Sequence, residues 1–309
     1  MSDQKWLNCR LSDIRQQLEA RGHRASKPVI SRLLRAQGYS LRANRKQDAG
    51  TQHPERDQQF QHLQAERAAH QAAGQPVISV DTKKKELVGN FKNAGQIWCQ
   101  EAEVVDAHDF PQDAIGRAVP YGIYDLQHNR GTVYVGQSAD TPAFAVDNIA
   151  HWCATELRER FPDATQLLIE ADSGGSNSAR SRVWKERLQV EVADRFGLTV
   201  TVCHYPSGAS KWNPIEHRLF SEISKTWAGC PLRSFAAVCH YIQDTRTATG
   251  LSVTAHLVAT VYATGRKIPD DVMATLNIQA HDVCPQWNYT IHPRVAPAPS
   301  DPDREVILL

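Results

Sequence analysis

Asp81, Asp172 and Glu216 are the residues of this 309-residue chain whose settings point to chemistry. Asp81 sits inside Val77-Ile78-Ser79-Val80-Asp81-Thr82, a run that otherwise reads as a buried strand. A carboxylate there is costly to desolvate, so it needs a metal, a cation or hydrogen-bond donors. Pairing with Lys83, Lys84 or Lys85 at a sheet edge is the bland alternative. Asp172 follows Leu167-Leu168-Ile169-Glu170-Ala171 and precedes Ser173-Gly174-Gly175-Ser176-Asn177. Carboxylates at the C-terminal ends of strands are where α/β folds place their chemistry, and paired glycines let a backbone or a phosphate approach closely. An Asp that merely opens a Gly-rich turn is as common. Glu216 lies in Lys211-Trp212-Asn213-Pro214-Ile215-Glu216. There, Asn213 as N-cap, Pro214 at N1 and Glu216 at N3 would also make a respectable helix start. Hard oxygen ligands of this kind suit a pair of Mg²⁺ ions roughly 3.5–4 Å apart, with Mn²⁺ as a substitute, acting on a phosphodiester.

The elements that position these acids follow from periodicity. Residues 77–82 read as a strand and 96–99 as part of a second one. Residues 122–126 and 132–136 flank Gln127-His128-Asn129-Arg130-Gly131, a hairpin-type turn. Residues 144–161 are helical, 167–169 a short buried strand, 179–196 helical and 198–203 a strand; 214–227 and 232–247 are helical. Strands first, then alternating helix and strand, predict an α/β fold with a mixed sheet flanked by helices. An Asp in the first strand, an Asp after a later strand and a Glu on a following helix is the layout of ribonuclease-H-like polynucleotidyl transferases. The separations, 91 and 44 residues, leave room for three strands and a helix, then for one helix and one strand.

Composition narrows the class. The chain is 41 % apolar and 22 % charged, a globular balance. It has no apolar run near the 18 or so residues of a membrane span and no secretory start, so a cytoplasmic protein is expected. None of its seven cysteines forms a Cys-x-x-Cys pair. Cys203-His204 and Cys239-His240 lack a second close ligand, so no zinc finger is expected. Net charge is +1, but residues 1–50 hold 11 basic against 4 acidic residues, and the remainder 24 against 30. A head at +7 on a body at −6 is suited to meet a polyanion.

Within that head, Leu11, Ile14 and Leu18 recur at helical spacing, and Gly22 ends the first helix. Ser26 as N-cap, Pro28, then Ile30, Leu33 and Leu34 form a second, closed by Gly38. This is a helix-turn-helix layout that presents Lys27, Arg32 and Arg35 to double-stranded DNA; a plain helical hairpin fits equally. The expected domains are a helix-turn-helix segment at 1–45, a linker with one polar helix at 46–75, whose buried side holds Phe60 and Leu63, and a catalytic domain at 76–291. A Pro-rich disordered tail is expected at 292–309.

Longer stretches carry a resemblance. VISVDTKKKELVGNFKNAG from Val77, PYGIYDLQHNRGTVYVG from Pro120, ADSGGSNSARSRVWKERLQ from Ala171, VCHYPSGASKWNPIEHRLFSEIS from Val202 and QWNYTI from Gln286 resemble the Rhodopirellula-type DDE transposases, the ISAzo group of insertion-sequence enzymes. The segment Asn213-Pro214-Ile215-Glu216 also resembles the mariner-like transposases at their last catalytic acid. The resemblance implies a ribonuclease-H-like fold, Asp81, Asp172 and Glu216 as a metal-binding DDE triad, cleavage of transposon ends, strand transfer into target DNA, and a homo-oligomer on DNA. Members of that family usually carry a substantial segment ahead of the helix-turn-helix, so an N-terminally shortened copy is expected. Glu170 stands where they usually have a small or polar residue, and is expected only to add charge near the site.

Lys83, Lys84, Lys85 and Lys211 are candidate phosphate contacts. Trp212 is expected in the core, and His204 and His217 in structural roles. Two rival readings remain: a hydrolytic nuclease of the same fold, which cuts without joining, and a DNA-binding transposase remnant without catalysis.

Overall fold

The computed structural model describes residues 10–40, 53–206 and 208–294, in two compact units divided between residues 50 and 51. In the first unit, α1 (Leu11–Ala20) and α2 (Lys27–Ala36) pack together. Gly22 and Gly38 end them with φ of +83° and +82°, a conformation glycine adopts without steric cost. Ile30 is buried between them, whereas Leu33, expected on the apolar stripe, is exposed. Ser26 occupies the N-cap position without a capping bond from its hydroxyl.

The second unit is a sheet with helices on both faces. Its strands are β1 (Val77–Thr82), β2 (Glu86–Val88), β3 (Gly116–Asp125), β4 (Arg130–Gly136), β5 (Gln166–Ala171), β6 (Thr199–His204), β7 (Ser252–Val258), β8 (Ile278–Ala280) and β9 (Asn288–Ile291). They lie in the order β7-β4-β3-β1-β5-β6-β9-β8, with β2 against β3. β1, β3 and β4 form an antiparallel meander whose turn closes at Asn129, with φ +53°. On the other side of β1, β5 and β6 run parallel to it. An antiparallel meander continued by parallel strands across the first strand, with helices in the later crossovers, is a ribonuclease-H-like sheet.

α3 (Arg56–Ala72) packs on β1 and β5 through Leu63, beside Val77, Leu168 and Cys203. It is therefore part of this unit rather than of a linker. α4 (Pro142–Trp152) begins at Thr141, whose hydroxyl accepts from Phe144 N at 3.2 Å, and continues through a π-helical turn (Cys153–Leu157) into α5 (Arg158–Arg160). α6 (Arg182–Arg187) starts at Ser181 and runs into a second π-helical stretch, Leu188–Asp194. Together they cover one face of the sheet, burying Ile78, Val80, Tyr121, Ile169, Trp152 and Trp184. α7 (Ser221–Thr226) and α8 (Phe235–Gln243) cover the other face over β3 and β4. α9 (Asp270–Ala274) is one short turn.

Residues 96–99 form no strand. Ile97 and Trp98 are exposed, and Gly95 turns the backbone at φ +114° against Ala228 and Gly229, so the segment has no sheet partner. β7, β8 and β9 were not expected. β7 pairs in parallel with β4, and β8 and β9 are only three and four residues long. Of the expected tail, residues 295–309 lie outside the described residues, but Arg294 is tied to Asp194 at 2.6 Å.

Glu170 also departs from expectation. It points to the α3 side of β5, fully buried. Arg67 Nε and Nη2 donate to its two oxygens at 2.6 Å each, and Tyr205 Oη donates to Oε2 at 3.0 Å. Removing one partner of such a pair strands a charge in the interior, at a cost of about 3–5 kcal/mol. Arg67→Met should lower the urea midpoint accordingly, and Arg67→Met/Glu170→Met should recover at least half of the loss. A double variant no more stable than the single one would show that the pair is not what couples α3 to β5.

Candidate active site

β1 and β5 are parallel neighbours in a register that sets Val80 against Ala171. The next residue on each chain is an aspartate, so Asp81 and Asp172 come to adjacent strand ends. Asp81 is only 8 % exposed, and its Oδ1 accepts from Thr82 N at 2.7 Å. Burial, then the negative charge of Asp172, pushes its pKa up to about 8. Asp172 is raised to about 6, first by burial and further by the charges of Glu216 and Asp140, against hydrogen bonds from Gly174 N and the Asn177 side chain. Its Oδ1 is buried without a hydrogen-bond partner.

Glu216 is brought to these acids by the way its helix is seated. Asn213 is fully buried; its Nδ2 donates to Val80 O at 3.1 Å, and its Oδ1 accepts from Ser79 Oγ. Ile215 N donates to the same Ser79 hydroxyl at 3.1 Å. The Asn213 amide is thus spent on β1, two residues from Asp81. Among the described residues no hydrogen bond joins the Glu216 carboxylate back to Asn213 N, so the capping-box alternative is not formed. Glu216 instead opens a π-helical turn, Glu216–Phe220, that leads into α7. Such turns recur at functional sites. The seat is shallow: a Cβ on Gly122 would lie 2.6 Å from Phe220, and one on Gly131 2.5 Å from Leu219. Those two glycines let the helix sit directly on β3 and β4. Glu216 is close enough to raise the pKa of both aspartates.

A cleft of about 420 Å³ opens at these strand ends, lined by Asp81, Asp172, Gly174, Gly175, Ser176 and residues 82–85. It is also lined by Asp140, an acid that sequence reasoning missed. Asp140 Oδ1 accepts from Thr82 Oγ1 at 3.1 Å, its Oδ2 lies 3.2 Å from Lys85 Nζ, and its charge adds to the upward shift of Asp81 and Asp172. In Asp140-Thr141-Pro142 it reads as part of a helix start, which hid it. Glu216 approaches from beyond the residues that line this cleft.

Behind Asp172 stands a chain of buried polar groups. The carbonyl of Asp172 can only accept, so His204 Nδ1 donates to it, at 2.8 Å. His204 Nε2 then accepts from Tyr289 Oη at 3.2 Å, which in turn accepts from Trp184 Nε1 at 2.8 Å. Burial lowers the His204 pKa to about 4, so the ring is neutral, as this pattern requires. Gln59 Nε2 holds His204 O at 2.8 Å and pairs reciprocally with Asn288 at 2.7 and 2.6 Å. The Gln286-to-Ile291 stretch thus reaches the site through Asn288 and Tyr289.

The lysines separate. Lys83 lines the cleft but is only 7 % exposed, with Nζ 4.5 Å over the Trp227 ring and 3.5 Å from Glu86, and burial lowers its pKa. Its alternation with exposed Lys84 turns it inward. Lys84, Lys85 and Lys211 are exposed. Trp212 is half exposed rather than in the core, 6.2 Å from the Phe60 ring and beneath Lys211 Nζ. His217 is exposed and bonded to Lys211 O. On α2, Lys27, Arg32 and Arg35 are exposed.

The raised carboxyl pKa has a measurable sign. Below about pH 4, Asp81 is protonated whether the chain is folded or unfolded. Between there and about pH 8 the unfolded chain ionises while the folded one keeps its proton, so stability is lost as pH rises. In metal-free protein, Asp81→Asn should melt near wild type at pH 4 and progressively above it toward pH 8. Each kcal/mol relieved is worth roughly 2–4 °C at this size. A melting difference that stays constant across this window would rule out a buried, shifted Asp81.

Solved structures with a related course include a Mos1 transposase paired-end complex with left transposon end, at 10 % identity over 78 % of this chain and 72 % of that one, with a TM-score of 0.45. A Mos1 strand transfer complex gives 10 % identity, 78 % and 71 % coverage and a TM-score of 0.46. No curated protein matches the chain. Residues 1–293 match the family described as Rhodopirellula transposase DDE domain, and the chain belongs to this family of DDE transposases.

Proposed function

We propose that this transposase cuts transposon ends and joins them to target DNA at the cleft of Asp81 and Asp172, with Glu216 as the third acid and two Mg²⁺ ions, for which Mn²⁺ substitutes. The observation that carries the reading is the Asp172 Oδ1 atom, buried without a partner beside an aspartate whose pKa burial has raised to about 8. Carboxylates crowded in this way lack the positive charge that would let them ionise together, and hard divalent cations supply it. Asp81, whose carboxyl is raised by the charges of both others, would hold the ions together with Asp172 and Glu216.

When bound, the ions activate the attacking oxygen and stabilise the leaving oxygen of an in-line displacement. The chain does the remaining work. The Ser79–Asn213 seat sets Glu216 against β1, and His204 fixes the backbone of Asp172. Gly174 and Gly175 leave room for a phosphate, and exposed Lys84, Lys85 and Lys211 are placed to hold the DNA backbone. Water is the first nucleophile and frees a 3′-OH at the transposon end. That hydroxyl then attacks a target phosphodiester, releasing a target 3′-OH, and no covalent enzyme intermediate forms.

Residues 1–45 serve as the DNA-binding head, with Lys27, Arg32 and Arg35 of α2 at the duplex, and the enzyme works as a homo-oligomer on DNA. No helix among the described residues is long and apolar enough to cross a membrane. A chromosomal substrate places the work at the nucleoid, in the cytoplasm.

Asp81→Asn, Asp172→Asn and Glu216→Gln should each abolish Mg²⁺-dependent cleavage and joining on a paired-end substrate while leaving DNA binding intact. Products cut but never joined by the wild type would mark a hydrolytic nuclease, and DNA binding with neither product a non-catalytic remnant. An active Glu216→Gln enzyme would remove the third ligand from this scheme and direct the search to Glu222 on α7. For the head, Arg32→Glu/Arg35→Glu should weaken duplex binding and reduce its salt slope by about 2, at roughly 0.9 per phosphate contact. An unchanged slope would place α2 away from the duplex.

A further inference from the structure

A second group of metal-ligating side chains lies in the same unit, outside the cleft. His62 and Glu66, one turn apart on α3, meet His281, the residue that follows β8. His62 Nε2 is 2.9 Å from His281 Nδ1, and Glu66 Oε1 is 3.8 Å from the first nitrogen and 3.9 Å from the second. A hydrogen bond between the two imidazoles would account for the short distance alone. It leaves the carboxylate oxygen facing both rings, too far from either to bond. One ion between the three atoms is consistent with all of these separations. They bracket the roughly 3.4 Å that separates ligand atoms around a tetrahedral ion with bonds of about 2.1 Å, the length for Zn²⁺ with imidazole nitrogen and carboxylate oxygen, so shifts of about half an ångström would seat it.

The surroundings fit the same reading. His281 Nε2 shares a hydrogen bond with Thr290 Oγ1 at 2.8 Å, which turns Nδ1 toward the group; an outer bond of this kind is what orients a metal-bound histidine. The three side chains are 14, 26 and 17 % exposed, so they are held in place yet open to an ion from solvent. Two imidazoles select against Mg²⁺ and for Zn²⁺, which separates this site from the all-oxygen cleft.

We propose that His62, Glu66 and His281 bind Zn²⁺, with water completing a tetrahedron, and that the ion clamps α3 to the β8–β9 edge of the sheet. α3 also carries Gln59, which holds His204 and Asn288, and Arg67, which holds Glu170. The clamp therefore secures the helix that backs Asp172.

The test titrates metal-stripped full-length protein with Co²⁺ in excess Mg²⁺ and reads the visible absorption of tetrahedral Co²⁺, then its displacement by Zn²⁺. One equivalent should give the bands, and they should persist in Asp81→Asn/Asp172→Asn/Glu216→Gln, whatever becomes of the transposase chemistry. His281→Ala should abolish them. Glu66→Gln, which keeps a helix-compatible side chain, should weaken Co²⁺ affinity at least tenfold with circular dichroism unchanged. Zn²⁺ should raise the melting temperature of wild type by several degrees, and that of His281→Ala by none. Bands that vanish in the triad variant, survive in Glu66→Gln at full affinity, or never appear would overturn the site.

Discussion

Two parallel strands that end in aspartates impose the constraint from which the rest of the active unit follows. At adjacent ends of β1 and β5, Asp81 and Asp172 are too close and too dry to carry their charges alone. Hydrogen bonds from Thr82 N, Gly174 N and Asn177 offset only part of the cost. Lys83 is turned under toward Trp227, Lys85 is engaged by Asp140, and Asp140 brings a further negative charge. The protein has built a concentration of negative charge and held it in a rigid frame, at a cost to the stability of the free chain.

The rigidity has identifiable sources. Asn213 and Ser79 fasten one helix to β1, and Gly122 and Gly131 let that helix lie against the sheet without intervening side chains. His204, Tyr289 and Trp184 fix the loop at Asp172 from behind, while Gln59 and Asn288 lock the backbone of His204. Each of these groups is buried and satisfied by another. Such networks specify one arrangement when complete, and are costly when broken.

Much of this was legible in the chain. An apolar run interrupted by Asp81, a Gly-rich turn after Asp172 and the hairpin turn holding Asn129 and Gly131 all announce themselves by local pattern, and the mixed sheet follows from their order. What stayed hidden depends on partners far away in sequence. Glu170 looks like charge near the site until Arg67, 103 residues earlier, is seen to hold it from the opposite face. Asp140 looks like a helix start because Thr141 and Pro142 are one. Residues 96–99 carry strand-like composition but find no neighbouring strand, and β9 is too short to show a period, though it supplies Asn288 and Tyr289. The π-helical turn at Glu216 obeys neither of the periods by which helices and strands are read.

The backing of Asp172 has a consequence for how the enzyme comes into being. Asn288 and Tyr289 lie more than seventy residues beyond Glu216, so every acid of the cleft leaves the ribosome before the strand that steadies them. A nascent chain can pair β1, β3 and β4 once Gly136 has emerged, but the closure of β9 onto β6 must wait for near-complete synthesis. Translation interrupted before that point yields a polypeptide with all of its acids but without the Tyr289 and Asn288 bonds that back Asp172 through His204 and Gln59. The order of the chain thus leaves the backing of Asp172 as the last part of the site to be completed.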